Sequence, residues 1–391
     1  MSQTALALPQ FPDFTELEAT QSTLDGTDRS GFQIGWDHAH HGLVPPPELL
    51  LAGTPLCQGW MAGKAVFAGR CLAAGRFVRQ WLALRTSAWR LGIHFDGKQV
   101  TPSHLAQLHT EHCPVLRVPL GGAAGDATAA VVDRLNPQAG YAAGNLVVMS
   151  LAASGLRQGL TVAEAVRRAR AAEICGQALQ GQTAAVWWRL AALGACGVEL
   201  QFHDVARLPL AALPPNRARL LNAAQGLQAL ITRLFTQRGW SIRAKAIAAL
   251  LPEHTLRHDF NLFLGAMAPR VLEAPANASP AQLRCVLEDA WLNERVQRRW
   301  THLVLSLGET ATAALLERAA TLELCSVRTL HSTAHSSAEP VTKGWGLPQP
   351  GRTPFQRTLS LVPADGEMLE LGATVPMPPK KRSLTMDARL S

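Results

Sequence analysis

The residues best suited to chemistry lie in one stretch, which reads HCPVLRVPLGGAAGDATAAVVDRLNPQAGYAAGNLVVMSLAASGLR over 112–157. Asp133 supplies a carboxylate, the ligand type that hard divalent cations prefer. Arg117, Arg134 and Arg157 supply guanidinium groups, which bind phosphate oxygens through paired hydrogen bonds. His112 adds an imidazole, which accepts or donates a proton near neutral pH. The arginines are the side chains of this stretch that suit a phosphate ligand.

The elements that must position these side chains are predicted from β-prone runs and turn residues. Residues 129–135 and 146–149 are each predicted to form a short strand, and 150–158 favours a helix. The segment between the two strands contains Asn136-Pro137 and Gly140, which are typical turn residues. The sequence therefore predicts a strand, a loop, a second strand and a helix.

The spacing of short motifs in this stretch resembles that of the HNH, or ββα-metal, endonucleases. The matching residues are Cys113-Pro114, Val132-Asp133-Arg134-Leu135, Asn136-Pro137, Gly140-Tyr141 and Gly144-Asn145-Leu146. The resemblance implies a ββα module that hydrolyses a phosphodiester bond with one divalent ion, Mg²⁺ or Mn²⁺. In that scheme Asp133 is a metal ligand, and Asn145 orients the histidine that deprotonates the attacking water.

Two departures from the family pattern concern the general base and the metal ligands. Arg134 stands where the family has its catalytic histidine, and a guanidinium has no acceptor for a proton. The predicted helix over 150–158 contains no His, Asp or Glu, which leaves Asp133 as the one carboxylate ligand. His112 is the nearest substitute base. The sequence therefore predicts a degenerate module and leaves enzyme activity open.

A second group of possible metal ligands is Asp37-His38-Ala39-His40-His41. Neutral imidazole and carboxylate both coordinate metal ions, but adjacent histidines seldom converge on one ion. The favoured interpretation is a solvated loop, or a histidine that packs against Trp36.

The predicted fold class is mainly α with a small α+β module at about 129–158. Residues 1–48 are predicted to be an irregular N-terminal segment, and 49–160 to combine helical structure with the HNH-like module. Within the latter, apolar periodicity predicts one helix over 60–93, and Thr101-Pro102 begins another that ends near His109. Residues 161–330 are predicted to form an all-helical domain, which begins at the capping pattern of Thr161. Residues 331–391 are rich in Pro, Gly, Ser and Thr and are predicted to be a disordered tail.

Composition restricts the possible functions less than the motifs do. The 391 residues carry a net charge of +8, and of their 37 basic residues 31 are arginine. This balance favours polyanionic partners, although an arginine-rich composition also arises without any such role. The seven cysteines are dispersed and form no C-x-x-C pair, which favours reduced thiols in the cytoplasm. No apolar run is long enough to predict a membrane span.

Three functions remain open at this stage. The first is a nucleic-acid-binding protein, with DNA favoured over RNA, whose HNH-like module is non-catalytic; it predicts that Arg117, Arg134 and Arg157 cluster. The second is an active metal-dependent DNA endonuclease, with His112 or another histidine as base. The third is a helical protein-interaction scaffold with a purely structural hairpin, and it predicts that Asp133 is ion-paired. The sequence does not indicate an oligomeric state.

Overall fold

Helices dominate the part of the chain that the computed structural model describes, residues 26–237, 239–275, 277–324, 342 and 344–347. One β-hairpin followed directly by a helix is embedded among them, which confirms the predicted fold class. The described residues all belong to one compact unit, and 355–391 lie outside them. In chain order the elements are α1 (Gly26–His40), α2 (Pro55–Phe67), α3 (Arg76–Arg90), α4 (Pro102–Leu108), β1 (Ala130–Arg134), β2 (Leu146–Ser150), α5 (Leu151–Arg157), α6 (Val162–Cys175), α7 (Ala184–Cys196), α8 (Phe202–Ala206), α9 (Ala223–Leu234), α10 (Trp240–Leu250), α11 (His254–Leu272), α12 (Pro280–Ala290), α13 (Glu294–Leu307) and α14 (Glu309–Thr321).

The first two helices pack against each other through glycines. A Cβ atom on Gly35 would lie 2.0 Å from the Leu56 carbonyl oxygen, and one on Gly59 would lie 1.9 Å from the Phe32 carbonyl oxygen. Glycine weakens an isolated helix, but here close helix packing outweighs that cost. The prediction of irregular structure over 1–48 is therefore wrong for α1, while residues 1–25 lie outside the described residues.

The helix predicted over 60–93 is two helices. α2 ends at Phe67, and the backbone then turns through Ala68 at φ 26° and Gly69 at φ 85° before α3 begins at Arg76. Apolar periodicity continues across this break, which is why the single-helix prediction was wrong. The predicted helix after Thr101 is confirmed as α4, because the Thr101 hydroxyl accepts the His104 backbone N–H at 3.2 Å.

The β-β-α order predicted for 129–158 is confirmed. β1 and β2 are antiparallel, with Asp133 opposite Val147, and the Ser150 hydroxyl caps α5 by accepting the Ala153 N–H at 3.3 Å. Every residue of β2 is buried, because alternate residues enter two cores. Val147 and Met149 belong to the main core, whereas Leu146 and Val148 belong to a smaller core with residues of α3 and α4.

The helices after the hairpin pack around large aromatic side chains. Thr161 caps α6 as predicted, by accepting the Glu164 N–H at 3.1 Å. Trp187, Trp291 and Trp300 are fully buried, and the Trp291 indole N–H donates to the Thr232 hydroxyl at 2.8 Å. The main core also includes residues of the hairpin, so the β-β-α module and the later helices are packed together. Of the helices described, none has both the length and the apolar character required to cross a membrane.

Part of the predicted disordered tail has a defined position. Residues 331–391 lie outside the described residues except for 342 and 344–347. Trp345 is fully buried against Ala139 and Ala142, in the loop between β1 and β2. The prediction of disorder is therefore wrong at Trp345, because its aromatic side chain packs against the loop between β1 and β2.

Candidate functional site

Asp133 lies near the end of β1 with both carboxylate oxygens engaged. Oδ1 accepts the Arg134 backbone N–H at 2.7 Å, and Oδ2 accepts the Ser154 hydroxyl at 3.0 Å. The Arg157 guanidinium lies 3.4 Å from Oδ2, so the carboxylate is ion-paired within the module. A positive charge from the protein therefore stands beside the carboxylate for which the resemblance implied a metal ion.

Arg157 joins the end of α5 to the end of β1. Its guanidinium donates to the carbonyl oxygens of Arg134 and Leu135 as well as pairing with Asp133. The side chain is only 9% exposed, and burial lowers the pKa of its guanidinium while the Asp133 charge opposes that shift. Arg157, predicted to contact nucleic acid, is instead occupied by the protein itself.

Arg134 turns back over the loop between the strands. Its Nη1 donates to the Ala139 carbonyl at 2.7 Å, and its guanidinium lies 5.1 Å from the centre of the Tyr141 ring. Burial raises the pKa of Tyr141, and the nearby positive charge of Arg134 opposes that shift. A cation above an aromatic face and a hydrogen bond to a carbonyl both stabilise this loop conformation.

Asn145 holds the same loop from the opposite side and is fully buried. Its Oδ1 accepts the Asn136 N–H at 2.8 Å, and its Nδ2 donates to the carbonyls of Asn136 at 3.2 Å and Gly140 at 2.9 Å. These bonds satisfy backbone groups that would otherwise be buried without partners. The amide predicted to orient a histidine is thus bonded to the loop backbone.

His112 and Arg117 lie on the segment before the hairpin and face α12. Arg117 donates to both carboxylate oxygens of Asp289 at 2.7 Å and lies 3.5 Å from Glu288. His112 lines a cavity of about 640 Å³ between this segment and α12, and Asp133 is not among the residues that line it. The structure therefore places Arg134 and Arg157 together but separates Arg117 and His112 from them.

The donor set around Asp133 does not fit a divalent cation. Its two oxygens already accept three hydrogen-bond or ion-pair donors, and Arg157 would repel a second cation. Within the described ranges, no three His, Cys, Asp or Glu side chains are grouped as metal ligands. The metal role predicted for Asp133 therefore has no geometric support.

Residues 37–40 of the Asp37–His41 cluster belong to α1, His41 lies in the turn that follows, and the cluster packs within the protein. The Asp37 carboxylate lies 2.5 Å from Arg85, the His38 Nδ1 donates to the Ile34 carbonyl at 2.8 Å, and the His40 ring stacks on Phe67 at 4.4 Å. Burial lowers the pKa of His38, so its neutral form is favoured. The interpretation of this stretch as a solvated loop was wrong.

A different part of the molecule presents arginines that have no partner among the described residues. Arg170 of α6, Arg207 at the end of α8 and Arg298 of α13 line one cavity of about 710 Å³, here called the arginine cavity. Trp188, Glu173, Glu294 and His302 also line it. Sequence analysis missed this site because its members come from three separate helices. Each arginine alone has the pattern of a solvated helix face.

Carboxylates in the arginine cavity only partly offset its positive charge. Glu173 accepts the indole N–H of Trp188 at 2.7 Å, and Glu294 lies in the first turn of α13, where a helix favours negative charge. His302 lies 3.4 Å from Asp259. The three guanidinium groups remain available to an anion from solution.

Comparison with known proteins found no relative of this chain. No protein-family model, no curated protein and no solved structure matches the chain. The resemblance to HNH endonucleases rests on the motif residues of 112–157 and stays a prediction.

Proposed function

We propose that this chain is a non-catalytic nucleic-acid-binding protein whose phosphate contacts are made at the arginine cavity. The observation that carries the proposal is that Arg170, Arg207 and Arg298 line one cavity and have no partner in the described part of the chain. Arginine binds phosphate oxygens bidentately, and neutralised phosphates release counterions, which drives association. DNA is the first ligand to test, because the motif resemblance favours DNA over RNA.

The absence of catalysis follows from the chemistry of the β-β-α module. Arg134 cannot accept a proton from water, and its guanidinium is bonded to the Ala139 carbonyl and faces Tyr141. Asp133 is neutralised by Arg157. The module therefore serves as a structural connection between the N-terminal helices and the helices after 161.

A protein-interaction scaffold is the second candidate, and the ion pair between Asp133 and Arg157 favours it. Arg117 is likewise paired, with Asp289 of α12. On this alternative the hairpin stabilises the fold, and the arginine cavity accepts an acidic segment of a partner protein instead of a nucleic acid.

The decisive experiment measures DNA affinity by fluorescence anisotropy over a series of salt concentrations. The full-length triple variant Arg170→Gln, Arg207→Gln and Arg298→Gln is compared with a control of equal charge loss. The control replaces by glutamine three exposed basic residues elsewhere that also lack partners among the described residues, Arg70, Lys98 and Lys245. We expect the cavity variant to bind at least about tenfold more weakly. Its log–log salt slope should fall by about 0.9 for each lost phosphate contact.

The outcomes separate the candidate functions. Equal weakening in both triple variants would show diffuse attraction to a basic surface and would contradict the proposed site. No binding by the wild type at low salt would favour the scaffold. Plasmid cleavage by the wild type with Mg²⁺ or Mn²⁺, lost in Asp133→Ala, would overturn the non-catalytic assignment and make His112 the first base to test.

A further inference from the structure

The loop between β1 and β2 holds Trp345 in a defined slot. The Trp345 side chain is fully buried against Ala139, Ala142 and Leu221, and its indole N–H donates to the Ala143 carbonyl at 3.2 Å. The backbone carbonyl of Trp345 accepts the N–H of Gly140 at 2.5 Å. Both ends of the residue are therefore recognised, since its ring is enclosed and its polar atoms are bonded.

The residues on either side of Trp345 also make contacts that favour glycine. The His94 Nε2 donates to the Gly344 carbonyl at 3.1 Å, and a Cβ on Gly346 would lie 2.5 Å from the His94 ring. Gly344 and Gly346 have φ values of +83° and +59°, which favour glycine. The slot thus fits a tryptophan between two glycines.

The residues that resemble a nuclease site are the ones that shape this slot. Arg134 donates to the carbonyl of Ala139, and Asn145 donates to the carbonyl of Gly140. Ala139 and Gly140 are in turn the residues that contact Trp345. A loop held from both sides by buried polar contacts is pre-organised, which lowers the cost of binding a ligand.

We propose that the β1–β2 loop with His94 is a recognition slot for a glycine-tryptophan-glycine segment. Residues 344–346 are its intramolecular ligand, and a free peptide of the same sequence competes for it. The contacts of residues 344–346 with the loop, Leu221 and His94 are all non-covalent, so the segment is separable. This inference does not depend on nucleic-acid binding, since the slot and the arginine cavity share no lining residue.

The test is a binding assay with a fluorescent peptide of residues 342–347, Thr-Lys-Gly-Trp-Gly-Leu. In the wild type the tethered segment competes at an effective concentration on the order of millimolar, so the free peptide binds weakly. In the full-length variant Trp345→Ala the slot is vacant, and we expect the peptide to bind at least about tenfold more tightly. Peptides carrying Trp345→Ala or Gly346→Ala are the controls and should not bind.

A second variant keeps the proposal testable if Trp345→Ala does not fold. Full-length Gly346→Ala retains the tryptophan but places a methyl group against His94. Hydrogen exchange at the Gly140 amide should accelerate in this variant and slow again when the wild-type peptide is added. Equal peptide affinity for wild type and Trp345→Ala, equal binding of the Gly346→Ala peptide, or an unchanged Gly140 amide would each overturn the proposal.

Discussion

The β-β-α module and the arginine cavity use the same side chain in opposite ways. In the module, Arg134 and Arg157 are partly or largely buried, and both bind carbonyl oxygens of the protein. In the cavity, Arg170, Arg207 and Arg298 are exposed and have no partner among the described residues. An arginine beside a catalytic-looking motif is therefore weaker evidence for a ligand than an arginine that the fold leaves unbonded.

The physical reason for this difference is desolvation. A buried guanidinium loses its hydration and must be paired, so its interactions are already made in the folded protein. An exposed guanidinium keeps its hydration, and an anion can replace the water. Burial thus predicts which arginines stabilise the fold and which remain free to bind a ligand.

The largest expected difference in stability is between two variants that each lose one arginine, one from the module and one from the arginine cavity. Arg157→Met leaves Asp133 without its ion pair and removes the donor to two carbonyls, so we expect a loss of about 3 kcal/mol in the free energy of unfolding. Arg170→Met should change stability by less than about 0.5 kcal/mol, because the side chain is exposed and no described residue bonds to it. Urea denaturation measures both values, and equal losses would remove the distinction between the regions.

Two buried asparagines give a smaller and more local comparison. Asn145 bonds the hairpin loop, while Asn222 accepts the Leu200 N–H and donates to the carbonyls of Ala195 and Val198. We expect Asn145→Ala and Asn222→Ala each to cost about 2 kcal/mol, since each leaves buried backbone groups unpaired. Under native conditions, hydrogen exchange at the Gly140 amide should accelerate in Asn145→Ala alone. Acceleration in both variants would show that the slot is not an independent feature of the module.

The sequence predicted local structure well where one residue type determines it. Threonine caps predicted the start of α4 and α6, and the β-prone runs predicted the two strands and the helix after them. The break between α2 and α3 was missed because the apolar periodicity continues across it. α1 was missed because Asp, Thr and Ser dominate residues 13–30 and three prolines follow at 45–47, which indicated irregular structure. The glycines of α1 instead permit close packing on α2.

The candidate site was harder to predict because its function depends on partners. The residues of the module were placed correctly on strand, loop and helix, but the partner of Asp133 is Arg157, from the helix that follows. Sequence spacing gives no side-chain contact of this kind. Trp345 was beyond prediction for the same reason, since it packs on residues about two hundred positions earlier in the chain.

The smallest expected effect on stability comes from protonation of a histidine. It extends the comparison of buried and exposed side chains from arginine to histidine. His104 of α4 has a buried Nε2 without a hydrogen-bond partner among the described residues. Burial lowers the pKa of His104 below its ordinary value of 6.5, and the charges of Arg217 and Arg219 lower it further. In the unfolded chain the ordinary value applies, so the unfolded state binds more protons once the pH falls below about 6.5. His104 therefore contributes stability above that pH and loses its contribution as the pH falls toward its folded-state pKa.

We expect the thermal midpoint of the wild type to fall between about pH 7.5 and 5.5, and to fall less in His104→Gln, which cannot be protonated. His302→Gln, at an imidazole that is 61% exposed, controls for the replacement of an imidazole by an amide and should leave the thermal midpoint at pH 7.5 unchanged. If His104→Gln and the wild type lost the same stability over this pH range, protonation of the buried His104 would have no energetic consequence. Burial would then not explain how this side chain affects stability.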